Sequence, residues 1–315
     1  MARKPKGRPI SGVLVLNKPG GMTSNRALQI AKRLFYVAKA GHTGSLDPLA
    51  TGVLPLCFGD STKFSQYLLD ADKTYESTFR LGERTDTSDS DGEIVETHSA
   101  LHITEAMVLA GLMAFKGEIS QVPSMFSALK KDGQPLYKLA RQGIEVERKA
   151  RQVTVYALDL LAFRPGVVAE VDVRVSCSKG TYIRSIAEDL GQALKVGGHV
   201  SRLHRTQAGP FTLAQSVSID KLEELRAEAE PEVLDPLLLP VDAPVANMPK
   251  LALPEATAYY FRQGNPVMDA QAFALGGEGD KVRVFDQAGE FLGIGELSDD
   301  GRVAPKRLVA TNSAD

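Results

Sequence analysis

The sequence has no tryptophan, two cysteines and five histidines among 315 residues. Cys57 and Cys177 lie far apart, each in an apolar or strand-like stretch. That excludes a disulfide framework or a cysteine zinc site and fits a reducing cytoplasm. The histidines, at 42, 98, 102, 199 and 204, show no metal-ligand spacing. No stretch approaches the roughly 18 consecutive apolar residues that span a bilayer. The N-terminal Arg3-Lys4-Pro5-Lys6-Gly7-Arg8 is basic, but no signal-type apolar segment follows it. Asp86 to Gly92 lacks the acidic spacing and terminal glutamate of a calcium loop. Gly276 to Lys281 is glycine-rich without being a P-loop, and no serine sits in a nucleophile elbow.

What is present is an ordinary globular composition, 43% hydrophobic and 24% charged. The length allows two domains, or one large domain with an appendage. The net charge of −2 hides an asymmetry: residues 1–210 carry about +7 and residues 211–315 about −9. Residues 1–72 alone reach about +6, a phosphate-sized footprint that permits RNA binding without establishing it.

Ile10 to Asn17 reads as a strand, and Ser24 as the N-cap of a helix through about Arg33. Ser61 is a second candidate cap. Lys73 to Leu81 is a strand, residues 104–115 a helix capped by Thr104, and Val153 to Phe163 with Val168 to Cys177 a strand pair. Thr181 to Leu194 reads as a helix and Val200 to Thr206 as a strand. Interleaving without a βαβ repeat predicts an α+β layer on a mixed β-sheet. A proline-rich acidic stretch, Glu223 to Pro254, places a junction near residue 248. The expected division is 1–247, a catalytic domain, and 248–315, a small β-rich module with strands at Val282–Phe285 and Phe291–Gly295.

The densest chemical signal is Gly41-His42-Thr43-Gly44-Ser45-Leu46-Asp47-Pro48-Leu49-Ala50-Thr51-Gly52. A carboxylate beside a core-forming run survives desolvation only with partners. Glycines allow close approach of a ligand, and Pro48 restricts the backbone of Asp47. On these grounds alone, a structural turn and an active site are equal readings.

Four further motifs accompany it in order: Asn17 to Ser24, Asp72-Lys73-Thr74-Tyr75, Gln121 to Lys130 with Gly133 and Leu136-Tyr137, and Cys177 to Arg184. Together the five resemble the bacterial tRNA pseudouridine-55 synthases of the TruB type, over almost the whole chain. Ser124 and Phe126 depart from that pattern, where a proline and a tyrosine are expected. The resemblance implies a pseudouridine synthase catalytic domain followed by a PUA-like RNA-binding β-barrel. It implies isomerisation of the T-loop uridine of tRNA after base flipping, with Asp47, Tyr75 and Arg184 as catalytic residues.

Asp47 would act as nucleophile or stabilise charge as the glycosidic bond breaks, and Arg184 would hold it bidentately. Tyr75 would stack on the flipped base and assist removal of the C5 proton. Tyr182 and Leu203 would line the pocket, and His42 would stack where the uridine left. Lys18 would brace the pocket floor or meet a phosphate, and Asp89 matches an acidic position near the site. Isomerisation gains no electrons or groups, so no organic cofactor and no metal is expected.

The implied partner is the T-arm stem-loop of tRNA, with no membrane, no obligate protein partner, and a monomer in the cytoplasm. RNA-guided archaeal and eukaryotic relatives share these motifs. Two alternatives stay open: a tRNA-binding or folding protein with secondary catalysis, and a synthase acting on a different RNA. A glycosidase pairing Asp47 with Asp86 or Asp89 leaves the Lys18, Tyr75 and Arg184 motifs unexplained.

Overall fold

The computed structural model describes residues 6–127 and 129–310. Arg3, Lys4 and Pro5 of the basic N-terminus and Ala128 of the third motif lie outside the described residues. Ten strands form the main sheet. Across it run Val217–Ser218, Gly12–Lys18, Thr51–Phe58, Gly198–Ala208, Lys73–Leu81, Ala169–Cys177, Arg151–Arg164 and Gly117–Gln121. Ala40–His42 adds to Thr51–Phe58, and Phe211–Thr212 to Gly198–Ala208. Gly12–Lys18 pairs in parallel with Val217–Ser218, and Thr51–Phe58 with Gly198–Ala208; the remaining pairs are antiparallel. The sheet is therefore mixed, as the α+β expectation requires.

Strand composition follows position. Ala169, Val171, Val173, Val175 and Cys177 are buried alternately, one face on the core. Gly12–Lys18 and Thr51–Phe58 are buried on both faces. Leu14, Leu16, Leu54 and Leu56 join the main core, whereas Val13, Val15, Val53 and Cys57 pack on the other side against Phe211 and Leu68. The helices Ser24–Leu34 and Ile183–Ala193 each add a buried stripe to the main core.

Two expected caps differ. The cap of the first helix is Thr23, whose side chain accepts from the Arg26 amide. Ser24 is inside the helix, facing elsewhere. Ser61 lies buried within a 3₁₀ turn, Gly59–Phe64, that has no side-chain cap. Thr104 does cap its helix, Glu105–Met113, by accepting from the Met107 amide.

The C-terminal strands Lys250–Ala252, Lys281–Phe285, Phe291–Leu297, Arg302–Leu308 and Val267–Met268 form a separate sheet in that order. Its outermost strands are three and two residues long and do not pair with each other among the described residues. The module is accordingly a small curled half-barrel sheet, the separate barrel-type β module the sequence suggested. It has its own core, including Leu251, Phe261, Val282, Val284 and Val303. Against the larger body, the Phe64 and Phe291 rings meet at 5.3 Å.

Candidate active site

Asp47 lies in the connection between Ala40–His42 and Thr51–Phe58, which pair as antiparallel neighbours. Two glycines shape that connection. Gly44 has φ +68°, and Gly52 has φ +101° with no room for a side chain. A Cβ on Gly52 would lie 2.2 Å from the Arg205 carbonyl oxygen, so only glycine lets these strands approach.

The connection is clamped from several directions. Ser24 Oγ accepts from the Leu46 amide at 2.8 Å and donates to the Leu46 carbonyl at 3.0 Å. The Gly21 amide donates to the Pro48 carbonyl, and the Leu49 amide to Asp91. Such a closed hydrogen-bond set fixes a carboxylate better than Pro48 alone. Ser24→Ala strands the buried Leu46 amide and should cost about 1–3 kcal/mol, read as a lowered urea midpoint.

Lys18 is fully buried. Its Nζ donates to the carbonyls of Pro19 at 2.8 Å, Met22 at 2.7 Å and Pro48 at 3.4 Å. It therefore ties the first motif to the residue after Asp47 and has no path to a phosphate. Burial pulls its pKa down to about 8, opposed by Asp47 and Asp91. In the unfolded chain an ordinary lysine titrates near 10.4, so between these values the unfolded state binds more protons. Stability should rise with pH across that window. In Lys18→Met that part of the rise should vanish, measured as the difference in urea midpoints between wild type and variant at pH 7.5 and 9.5.

Arg184, at the start of the helix Ile183–Ala193, is only 4% exposed, while Asp47 is 39% exposed. Arg184 Nε lies 3.1 Å from Asp47 Oδ2, and Nη1 lies 3.3 Å from Asp89 Oδ2. Its Nη1 also donates to the Thr87 carbonyl and Nη2 to the Phe126 carbonyl, both at 2.9 Å. The expected bidentate grip on Asp47 is thus replaced by a guanidinium shared between two carboxylates. The reason is geometric: the fork is already engaged by two carbonyls and Asp89. Because the Phe126 backbone makes this contact, the absent tyrosine hydroxyl at that position is not needed for it.

Asp89 is buried and accepts from Thr87 Oγ1 at 2.6 Å and from the Asp91 amide at 3.1 Å. Burial raises its pKa, with Thr87 and Arg184 opposing.

Asp47, Tyr75, Tyr182, Arg184 and Leu203 line one cavity of about 340 Å³. Tyr182 precedes the Arg184 helix, and its backbone is held on both sides by Gln121: Oε1 accepts from the Tyr182 amide at 2.9 Å, and Nε2 donates to its carbonyl at 3.2 Å. Burial raises the Tyr75 phenol's pKa, which keeps it protonated at neutral pH. Leu203 is buried, serving both the core and the cavity wall.

His42 and Asp89 line an adjoining groove that shares Asp47 and Arg184 with the cavity. Burial, then Arg205, lowers the His42 pKa, so the ring is neutral at pH 7 and suited to stacking. Of the sequence candidates, Lys18 alone lines neither space.

Sequence reasoning passed over Gln121, Ser24 and Arg205. The first two stood inside quoted motifs, but their polar side chains gave no sign of being buried. Gln121→Ala should lower single-turnover rate about tenfold by freeing Tyr182, with stem-loop affinity nearly unchanged by filter binding.

The ten-stranded mixed sheet with its C-terminal module recurs in solved structures. A chain of a Cbf5–Nop10–Gar1 complex superposes with TM-score 0.69 at 25% identity, covering 94% of this chain and 84% of that one. A chain of an H/ACA RNP bound to a substrate RNA containing 2′-deoxyuridine gives 0.70 at 23% identity, covering 99% and 92%, which bears on fold alone.

Residues 32–183 match the TruB family pseudouridylate synthase N-terminal domain. Residues 184–246 match the tRNA pseudouridylate synthase B C-terminal domain, and 249–309 the Pseudouridine synthase II TruB C-terminal domain. The tRNA pseudouridine synthase B of Saccharophagus degradans is 64% identical over 98% of both chains. That of Pseudomonas aeruginosa is 55% identical over 96% of this chain and 97% of its own. The chain belongs to the TruB family of pseudouridine synthases.

Proposed function

We propose that this chain isomerises uridine to pseudouridine in the T loop of tRNA, at position 55. The observation that carries the reading is the Asp47 carboxylate, 3.1 Å from a buried arginine, at a cavity walled by Tyr75, Tyr182 and Leu203. A base of uracil's size is flat, neutral and uncharged, and such a cavity offers it aromatic faces and one reactive anion. Extracting the base from the loop costs a few kcal/mol of unstacking, offset by stacking on Tyr75 and by His42 entering the vacated place.

Asp47 acts at the ribose or the base, Arg184 keeps it ionised and oriented, and Asp89 fixes Arg184 in turn. Lys18 braces the loop from beneath. The substrate is the T-arm stem-loop, read mainly as an unpaired loop whose bases can be splayed. The enzyme works as a monomer in the cytoplasm, without an obligate protein partner. No helix among the described residues is long and apolar enough to cross a membrane. The separate core of the C-terminal sheet supports the division into 1–247 and 248–315.

The test is reverse transcription of an unmodified tRNA after incubation with wild type and treatment with a pseudouridine-specific adduct-forming reagent. A single stop at the T-loop uridine is expected; a stop elsewhere, or only on other RNAs, overturns the substrate assignment.

A further inference from the structure

Arg205 is 1% exposed, yet no carboxylate pairs with it among the described residues. A buried guanidinium without an acid is costly, since desolvation is offset only by dipoles. Its Nε donates to the Val53 carbonyl at 2.7 Å and its Nη2 to the Gly44 carbonyl at 2.9 Å. The residue lines the same cavity as Asp47 and Tyr75.

Lys73 lines that cavity too. Its Nζ donates to the carbonyls of Leu68 and Leu69, at 3.4 and 2.9 Å, and to that of Ala71. It likewise has no ion pair among the described residues. The cavity therefore holds more positive charge than a neutral uracil needs.

We propose that Arg205, backed by Lys73, stabilises the negative charge that uracil carries once the C1′–N1 bond breaks. This rests on the reading that the cavity takes a uridine. When C1′–N1 breaks, its electron pair moves onto the base and spreads over O2 and O4. If the carboxylate first adds at C6, the charge instead lies on O4 by way of C5, and that C6–O bond breaks again once C1′–C5 has formed. After the base turns, a pair from the ring forms C1′–C5, the C5 proton leaves to a base, and N1 takes up a proton. No oxidant, reductant or co-reactant enters.

A fixed cation that meets charge only after bond breaking favours the transition state over the neutral substrate. Arg205 is held rigidly by the Val53 and Gly44 carbonyls, so no reorganisation is needed when the charge appears.

The experiment compares T-arm stem-loops carrying uridine or 5-fluorouridine at the target position. Fluorine withdraws electrons and stabilises the base anion by itself. Single-turnover formation of the C-glycoside is followed by mass spectrometry, since a C–C-linked base resists loss on fragmentation. Arg205→Gln removes the charge but keeps a donor for one carbonyl. It should slow the uridine RNA about 10³-fold and the fluorouridine RNA at least tenfold less, with stem-loop Kd within threefold of wild type.

Arg205→Lys keeps a charge and provides a second variant. Its loss should be smaller, with the ratio between the two RNAs near that of wild type. Equal losses on both RNAs in Arg205→Gln, or equal ratios in Gln and Lys variants, would overturn the proposal and leave Arg205 a loop brace. No rate loss in either variant would also overturn it. Failure of wild type to convert the uridine RNA would instead remove the substrate assignment on which the proposal rests.

Discussion

Asp47→Asn is expected to abolish pseudouridine formation, with single-turnover rate lowered at least about 10⁴-fold. Stem-loop affinity should stay within about threefold of wild type. The carboxylate is 39% exposed and its loop is held by Ser24, Lys18 and Asp91 through backbone groups, so the fold does not depend on its charge. An amide of the same shape keeps the volume but loses the negative charge and with it the attraction to Arg184. The check is a paired measurement, adduct-detected conversion alongside filter binding. Retention of more than a hundredth of the wild-type rate would assign the chemistry to another group.

Arg184→Met has a different expected signature, because it damages stability and rate together. One guanidinium here serves Asp47, Asp89 and the carbonyls of Thr87 and Phe126. Removing it leaves Asp89 buried and without its cation. Breaking such a buried pair costs about 3–5 kcal/mol, visible in urea unfolding, and the rate should fall at least about 10³-fold. Arg184→Lys returns the charge but not the fork, since an ammonium cannot reach four acceptors in one plane. It should recover less than a tenth of the rate. Adding Asp89→Asn to Arg184→Met should restore part of the stability and none of the rate, which separates the structural role from the chemical one.

Much of this was legible in the residues. The Lys73–Leu81 strand and the helix Ile183–Ala193 carry alternation and helical spacing strong enough to be read directly. The Asp47 loop stood out through its glycines and proline, and the other motifs supplied its partners by resemblance. What the sequence could not show was the sharing of Arg184. That depends on Asp89, contributed by a distant loop, and on two carbonyls whose positions no side-chain pattern encodes.

The Ser24 misreading has a similar cause. Serine before a helical stripe is a cap signal, but adjacent Thr23 takes that place and leaves Ser24 free for Leu46. Arg205 was passed over because arginine is by type a surface residue, although it stands two places after Leu203 on the same strand face and is buried where Gly52 approaches closely.

The most direct test of the account is conversion of the isolated, unmodified T-arm stem-loop by wild-type protein in the presence of a chelator. The account predicts one pseudouridine per RNA, at the T-loop uridine, with no added cofactor. Intact binding without any conversion, on the stem-loop and on full-length tRNA alike, would contradict it and point to a role in binding or folding tRNA.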